Sequence, residues 1–142
     1  MTWNTWLRFK MKAIFEYSVR AHWEEMQETQ WLVYVDDDTY VLWEPLLELL
    51  SRYDPCAAHY FGRPLHEAGY PLFVGGGAGI VLSRGAAMQI LALKDSEACD
   101  PLNLKWSDRM HSGGDAWLGD CAEHAGAATA ITTATTTCAT AV

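Results

Sequence analysis

Three consecutive carboxylates, Asp36, Asp37 and Asp38, follow directly on the apolar run WLVYV and give way at once to TYVLW. A lone Asp at such a place usually caps a turn in solvent. Three like charges side by side repel, and a hard divalent cation, which takes oxygen ligands, supplies the missing counter-charge. Two further stretches carry candidate chemistry. The glycines of GGGAG, residues 75–79, either form a tight turn or let backbone approach a ligand, and without a following Lys they make no phosphate-binding P-loop. In GDAWLGD, residues 114–120, Asp115 either accepts a proton from a reacting group or caps a helix that begins at Ala116, with Trp117 and Leu118 packed below it.

These residues need elements to hold them. Residues 7–28 read as a helix, with Ile14, Tyr17 and Ala21 on one face. Trp31 to Val35 reads as a short strand whose continuous apolar character suits a central parallel strand covered on both sides. The acids then fall at the carboxyl end of a strand, which in an open α/β sheet borders the ligand crevice. A helix follows from Pro45, with Leu46, Leu49, Leu50 and Tyr53 at helical spacing, stopped by Asp54 and Pro55. HYFGRP, residues 59–64, reads as a strand. The glycine block runs into a further strand, and Ser83 is placed to cap a helix backed by Ala86, Ala87, Ile90 and Leu91. Alternating strands and helices predict an α/β layer fold.

A chain of 142 residues, half of them apolar, supports one core. The formal charge of −8 excludes a nucleic-acid partner, because neutralising a phosphate backbone takes a basic patch. It leaves room for an anionic ligand held through a cation. Cys56, Cys99, Cys121 and Cys138 lack zinc-site spacing, and their number is compatible with disulfides or with free thiols. His59, His66, His111 and His124 share no ligand spacing, and Trp43, Trp106 and Trp117 read as packing residues. No stretch is long and apolar enough to span a membrane, and the N-terminus lacks a signal-peptide core, so membrane attachment would need an anchor outside this chain. From Ala127 to Val142 the chain is almost wholly Ala and Thr, which divides it into a folded region, 1–126, and a low-complexity tail, 127–142.

Three metal-dependent readings suit the triplet. A calcium EF-hand fails at Tyr40, Val41 and Leu47, where its loop needs an oxygen ligand, Gly and Glu. A phosphohydrolase of the haloacid dehalogenase type would use Asp36 and Asp38, Ser83 after GIVL, Lys94 or Lys105, and GDAWLGD, but Tyr40 stands where its first motif has Thr. The third reading is a nucleotide-sugar glycosyltransferase, in which a DxD element holds a cation against the donor diphosphate.

The order WLVYVDDDTYVLWEPLLELLSRYDP, YFGRP, GGGAGIVLSRGAA, GDAWLG resembles the Fringe-like and core 1 β1,3-galactosyltransferase-like group of inverting glycosyltransferases, over about residues 12 to 126. The resemblance implies a GT-A-like, Rossmann-like nucleotide-sugar-binding sheet with flanking helices. It implies that the upstream elements forming much of the nucleotide pocket are missing, and that the family's later metal-ligating His has no counterpart after Gly126. The implied reaction moves a galactose-like hexose from a UDP-sugar to a glycan or glycoprotein acceptor in β1,3 linkage, with Mn²⁺ or another divalent cation, on the luminal side of a Golgi or other secretory membrane. The implied residues are Asp38 as direct metal ligand, Asp36 and Asp37 near ribose and diphosphate, Gly76 and Gly77 beside the sugar, and Asp115 as catalytic base. The family motif at that base has two acids, of which the first is replaced here by Gly114. The remaining alternatives are the phosphohydrolase and a metal-binding fragment without turnover.

Overall fold

A computed structural model describes residues 3–21, 28–65, 72–102 and 113–129. Helix α1 spans Trp3–Arg20, strand β1 Trp31–Tyr34, helix α2 Trp43–Leu50, strand β2 His59–Gly62 and strand β3 Pro64–Leu65. Strand β4, Phe73–Val74, leads through a 3-10 turn at Gly76–Ala78 into strand β5, Ile80–Ser83, and helix α3, Arg84–Leu93. Helix α4, Gly114–His124, and strand β6, Ala128–Thr129, complete the described chain. His66, Lys105, Trp106, His111, Cys138 and residues 130–142 lie outside the described residues.

The main sheet runs β1-β5-β2-β6, with β3 and β4 forming a separate antiparallel pair. β5 is antiparallel to both neighbours, and among the described residues only β2 and β6 pair in parallel. The mixed α/β architecture matches the expected class. β1, by contrast, is neither central nor parallel: it stands at one end of the described sheet order and is half-buried along its length. Its side chains alternate as a pleated strand requires. Leu32 and Tyr34 pack onto the core with Tyr60, Ile80 and Leu82, whereas Val33 lines an apolar cleft on the other face with Phe61, Val81 and Leu46 of α2.

Over the core face lie α1, α3 and α4. Trp117 is fully buried, meets Phe15 edge-on at 6.3 Å between ring centroids, and donates its indole N–H to the Cys99 carbonyl at 2.9 Å. A disulfide joins Cys99 to Cys121, tying the segment before α4 to its middle, and Cys56 is also disulfide-bonded. The inner face of α1 is not the one its apolar residues suggest. Ile14 and Tyr17 are exposed, whereas Arg8, Phe15 and Val19 are buried. Burial lowers the proton affinity of the Arg8 guanidinium, and the charge of Asp120 on α4 opposes that shift. A buried cation with a counter-charge is tolerable where an unpaired one is not.

Ser83 caps α3 as expected, accepting the Ala86 N–H at 3.1 Å. Order also continues past residue 126: Ala127 is buried, and β6 pairs with His59 and Tyr60. Ala128 and Thr129, within the expected tail, therefore belong to the sheet.

Candidate active site

The apolar run of β1 delivers the chain to the sheet end at Tyr34, and the ladder with β5 stops at the Tyr34–Ile80 pair. Beyond it the three carboxylates occupy an exposed turn, closed by the Thr39 N–H donating to the Asp36 carbonyl at 3.1 Å. Opposite stands the glycine turn. Its Gly79 has φ 87°, a conformation that favours glycine, and this lets the chain reverse directly into β5. The Thr39 hydroxyl donates to the Gly77 carbonyl at 3.1 Å, so the two turns touch.

The third component comes from α4. Asp115 sits in its first turn, and the helix begins at Gly114, two residues earlier than expected, with Gly113 at the cap position. Both oxygens of the half-buried Asp115 carboxylate accept backbone N–H groups: Oδ2 from Gly76 at 3.1 Å and Oδ1 from Ala116 at 2.9 Å. Asp115 is therefore not the helix cap its capping reading expected, because Gly113 holds that position; its carboxylate lies in the first turn, near the positive end of the helix, and reaches the glycine turn through Gly76. Gly114 explains its own departure from the two-acid motif. A Cβ there would lie 2.7 Å from Met11 Cβ and 2.8 Å from the Leu7 carbonyl oxygen, so only glycine lets α1 approach this closely.

These elements enclose a cavity of about 350 Å³ lined by Asp36, Gly76, Gly77 and Asp115 together. Four of the six residues singled out in the sequence therefore share one site. Asp37 and Asp38 lie in the adjoining turn without lining the cavity. A Cβ at Gly77 would meet nothing within 4 Å, which leaves open space for a ligand beside it. Helix α1 forms the remaining wall, with Lys10 as its cation. Lys10 also lies 5.6 Å from the ring centroid of Trp6. Nothing in the residue types marked Lys10 for the site; only the packing of α1 against α4 brings it there.

Tyr34 also borders the cavity. Its hydroxyl is buried and makes no hydrogen bond among the described residues, and burial pushes the phenol up to about 12 despite the nearby Ser18 hydroxyl. That hydroxyl of Ser18 donates instead to the Ile14 carbonyl at 2.8 Å.

Among the described residues no three His, Cys, Asp or Glu side chains converge to hold a metal ion. Hard cations of the Mg²⁺ and Mn²⁺ kind commonly use one or two carboxylates and take remaining ligands from substrate phosphates and water. The exposed carboxylates of the acidic turn fit that mode by donor type, and Asp36 lies on the cavity side.

Among the described residues the phosphohydrolase constellation does not assemble. Ser83 is fully buried and used by the fold, donating to the Ala57 carbonyl at 2.6 Å while accepting N–H groups from His59 at 2.9 Å and Ala86 at 3.1 Å. Lys94 is buried and pairs with Asp95. Asp120 is buried against Arg8 rather than facing the acidic turn. Trp117 is a packing residue as expected, whereas Trp43 is 56% exposed and packs little.

Known proteins are similar to part of this chain. A chain similar to this one over 88 residues, at 39% identity, is the glycoprotein-N-acetylgalactosamine 3-beta-galactosyltransferase 1 of Xenopus laevis, with 60% of this chain and 23% of that protein covered. The human beta-1,3-glucosyltransferase is 42% identical over 71 residues, covering 47% of this chain and 14% of the relative. The chain thus spans less than a quarter of the length of either. The family model described as Fringe-like matches residues 5–135, and the chain belongs to that family.

Proposed function

We propose that the cavity between the acidic turn, the glycine turn and the start of α4 is the sugar-donor end of a metal-dependent inverting glycosyltransferase site. The reaction is transfer of a hexose from a UDP-sugar to a hydroxyl of a glycan or glycoprotein acceptor. Both relatives are named for 3-beta transfer, which supports a β1,3 linkage, and the galactosyltransferase favours a galactose-like donor. The observation that carries the reading is the meeting of Asp36, Gly76, Gly77 and Asp115 around one space of about 350 Å³.

Inversion needs a carboxylate to take the acceptor hydroxyl proton while its oxygen bonds to the anomeric carbon and the bond to the diphosphate breaks on the opposite face. Asp115 suits the first task. Two backbone N–H groups hold its orientation, and a carboxylate has about four lone-pair sites, so acceptor capacity remains for the incoming proton. Asp38 would hold the cation, with Asp36 and Asp37 toward ribose and diphosphate, and Gly76 and Gly77 would admit the sugar without side-chain interference. Mn²⁺ or a similar ion, when bound there, neutralises charge developing on the departing diphosphate. The disulfides fit an oxidising compartment such as the secretory lumen. No described helix is long and apolar enough to cross a membrane.

The test is calorimetric titration of UDP into the purified chain with and without Mn²⁺, alongside Asp38→Asn. Binding that requires both Mn²⁺ and Asp38 supports the donor site. UDP binding indifferent to both, or none by a chain shown to be folded, refutes it.

A further inference from the structure

We infer that Thr39 is a positioning residue that clasps the acidic turn to the glycine turn and, through that turn, sets its geometry relative to Asp115. The inference deepens the donor-site reading and rests on it for its functional meaning. The β1–β5 ladder ends at Tyr34 and Ile80 and so does not join the two turns; the glycine turn is held on its other side by the Gly75 N–H donating to the Arg63 carbonyl at 3.0 Å, which leaves the acidic turn to be tied to it by other contacts. The contacts between the two turns and Asp115 form a continuous path. Asp36 contributes its carbonyl to the Thr39 N–H at 3.1 Å, and the Thr39 hydroxyl donates to the Gly77 carbonyl at 3.1 Å. Gly76 closes its own turn by accepting the Gly79 N–H at 2.8 Å and donates its N–H to Asp115 Oδ2 at 3.1 Å. Cation-side acids and the proton-accepting carboxylate are thereby joined through two adjacent glycines.

The side chain of Thr39 is the one link in this path that substitution can remove without touching a carboxylate. Thr39→Val keeps the shape and deletes the donor; Thr39→Ser keeps the donor. Loss of one such hydrogen bond corresponds to roughly a fivefold change in an equilibrium. Hydrogen exchange at the Gly76 and Gly79 amides is therefore expected to speed up about fivefold in Thr39→Val and to return to the wild-type rate in Thr39→Ser. Mn²⁺-dependent UDP affinity is expected to fall by a similar factor in Thr39→Val and to recover with Ser. Unchanged exchange in Thr39→Val, with the fold retained by circular dichroism, overturns the clasp whether or not the wild type binds UDP. Faster exchange with wild-type UDP affinity overturns the positioning role. A folded wild-type chain that shows no Mn²⁺-dependent UDP binding counts against the donor site instead, and the exchange rates then decide the clasp alone.

Discussion

Replacing Gly114 with Ala tests how the base-bearing helix is seated. The added Cβ would stand 2.7 Å from Met11 Cβ and 2.8 Å from the Leu7 carbonyl oxygen, both well inside van der Waals contact. A side chain could rotate aside, but a Cβ and a backbone carbonyl belong to the body of α1, so the whole helix must shift. Overpacking of this kind costs about 1–3 kcal/mol. For a chain of this size each kcal/mol lowers the melting midpoint by about 3 °C, giving a fall of about 3–9 °C. Thermal unfolding followed by circular dichroism reads it directly. Gly114→Asp, which restores the two-acid motif, carries the same clash plus a larger side chain and is expected to melt no higher than the Ala variant. Leu7 and Met11 also line the cavity, so the shift should weaken ligand binding at the site as well. A Gly114→Ala chain that melts within about 1 °C of wild type would refute the reasoning, because the close approach of α1 to α4 would then not exist.

Other outcomes follow from the same structure. Tyr34→Phe removes a buried hydroxyl without a partner among the described residues and is expected to leave stability unchanged or raise it by up to about 1 kcal/mol in chemical denaturation. His59 is buried in an aromatic group with Trp31, Tyr53 and Phe61, and burial lowers its proton affinity against the opposing influence of Asp54. Its folded pKa thus lies below the unfolded value of about 6.5, so stability is retained above that pH and lost as pH falls below it. Melting at pH 7.5 and pH 5 should show a larger acid loss in wild type than in His59→Phe. Cys99 and Cys121 close a loop with a sequence separation of 22, so the Cys99→Ala/Cys121→Ala double variant is expected to lose about 3 kcal/mol, measured by denaturant unfolding.

Local rules made part of this molecule readable in advance. The triplet's place at a strand end followed from the apolar run before it, and the Ser83 cap followed from side-chain chemistry acting over three residues. The inward face of α1 is not legible from residue type, because its decisive contact is remote: Arg8 is buried beside Asp120, whereas the apolar Ile14 and Tyr17 remain outside. Residue type alone could not reveal that counter-charge. β1 was read as central because its residues are all apolar or aromatic, yet a sheet-end strand with one face on the core and one on an apolar cleft has the same composition. β6 was hidden by its small side chains, since its place depends on backbone pairing with β2. At the site, the acids and glycines were legible as types. Lys10, Thr39 and the contact between Gly76 and Asp115 arise only when separate segments meet.

The central claim is that the acidic turn and Asp115 face one shared donor site. Paramagnetic broadening of amide resonances by Mn²⁺ in the presence of UDP tests it most directly. Strong broadening is expected at Asp36–Asp38, Gly76, Gly77 and Asp115, abolished by Asp38→Asn while the spectrum remains that of a folded chain. Broadening confined to the acidic turn, or centred on carboxylates elsewhere in the chain, would contradict it.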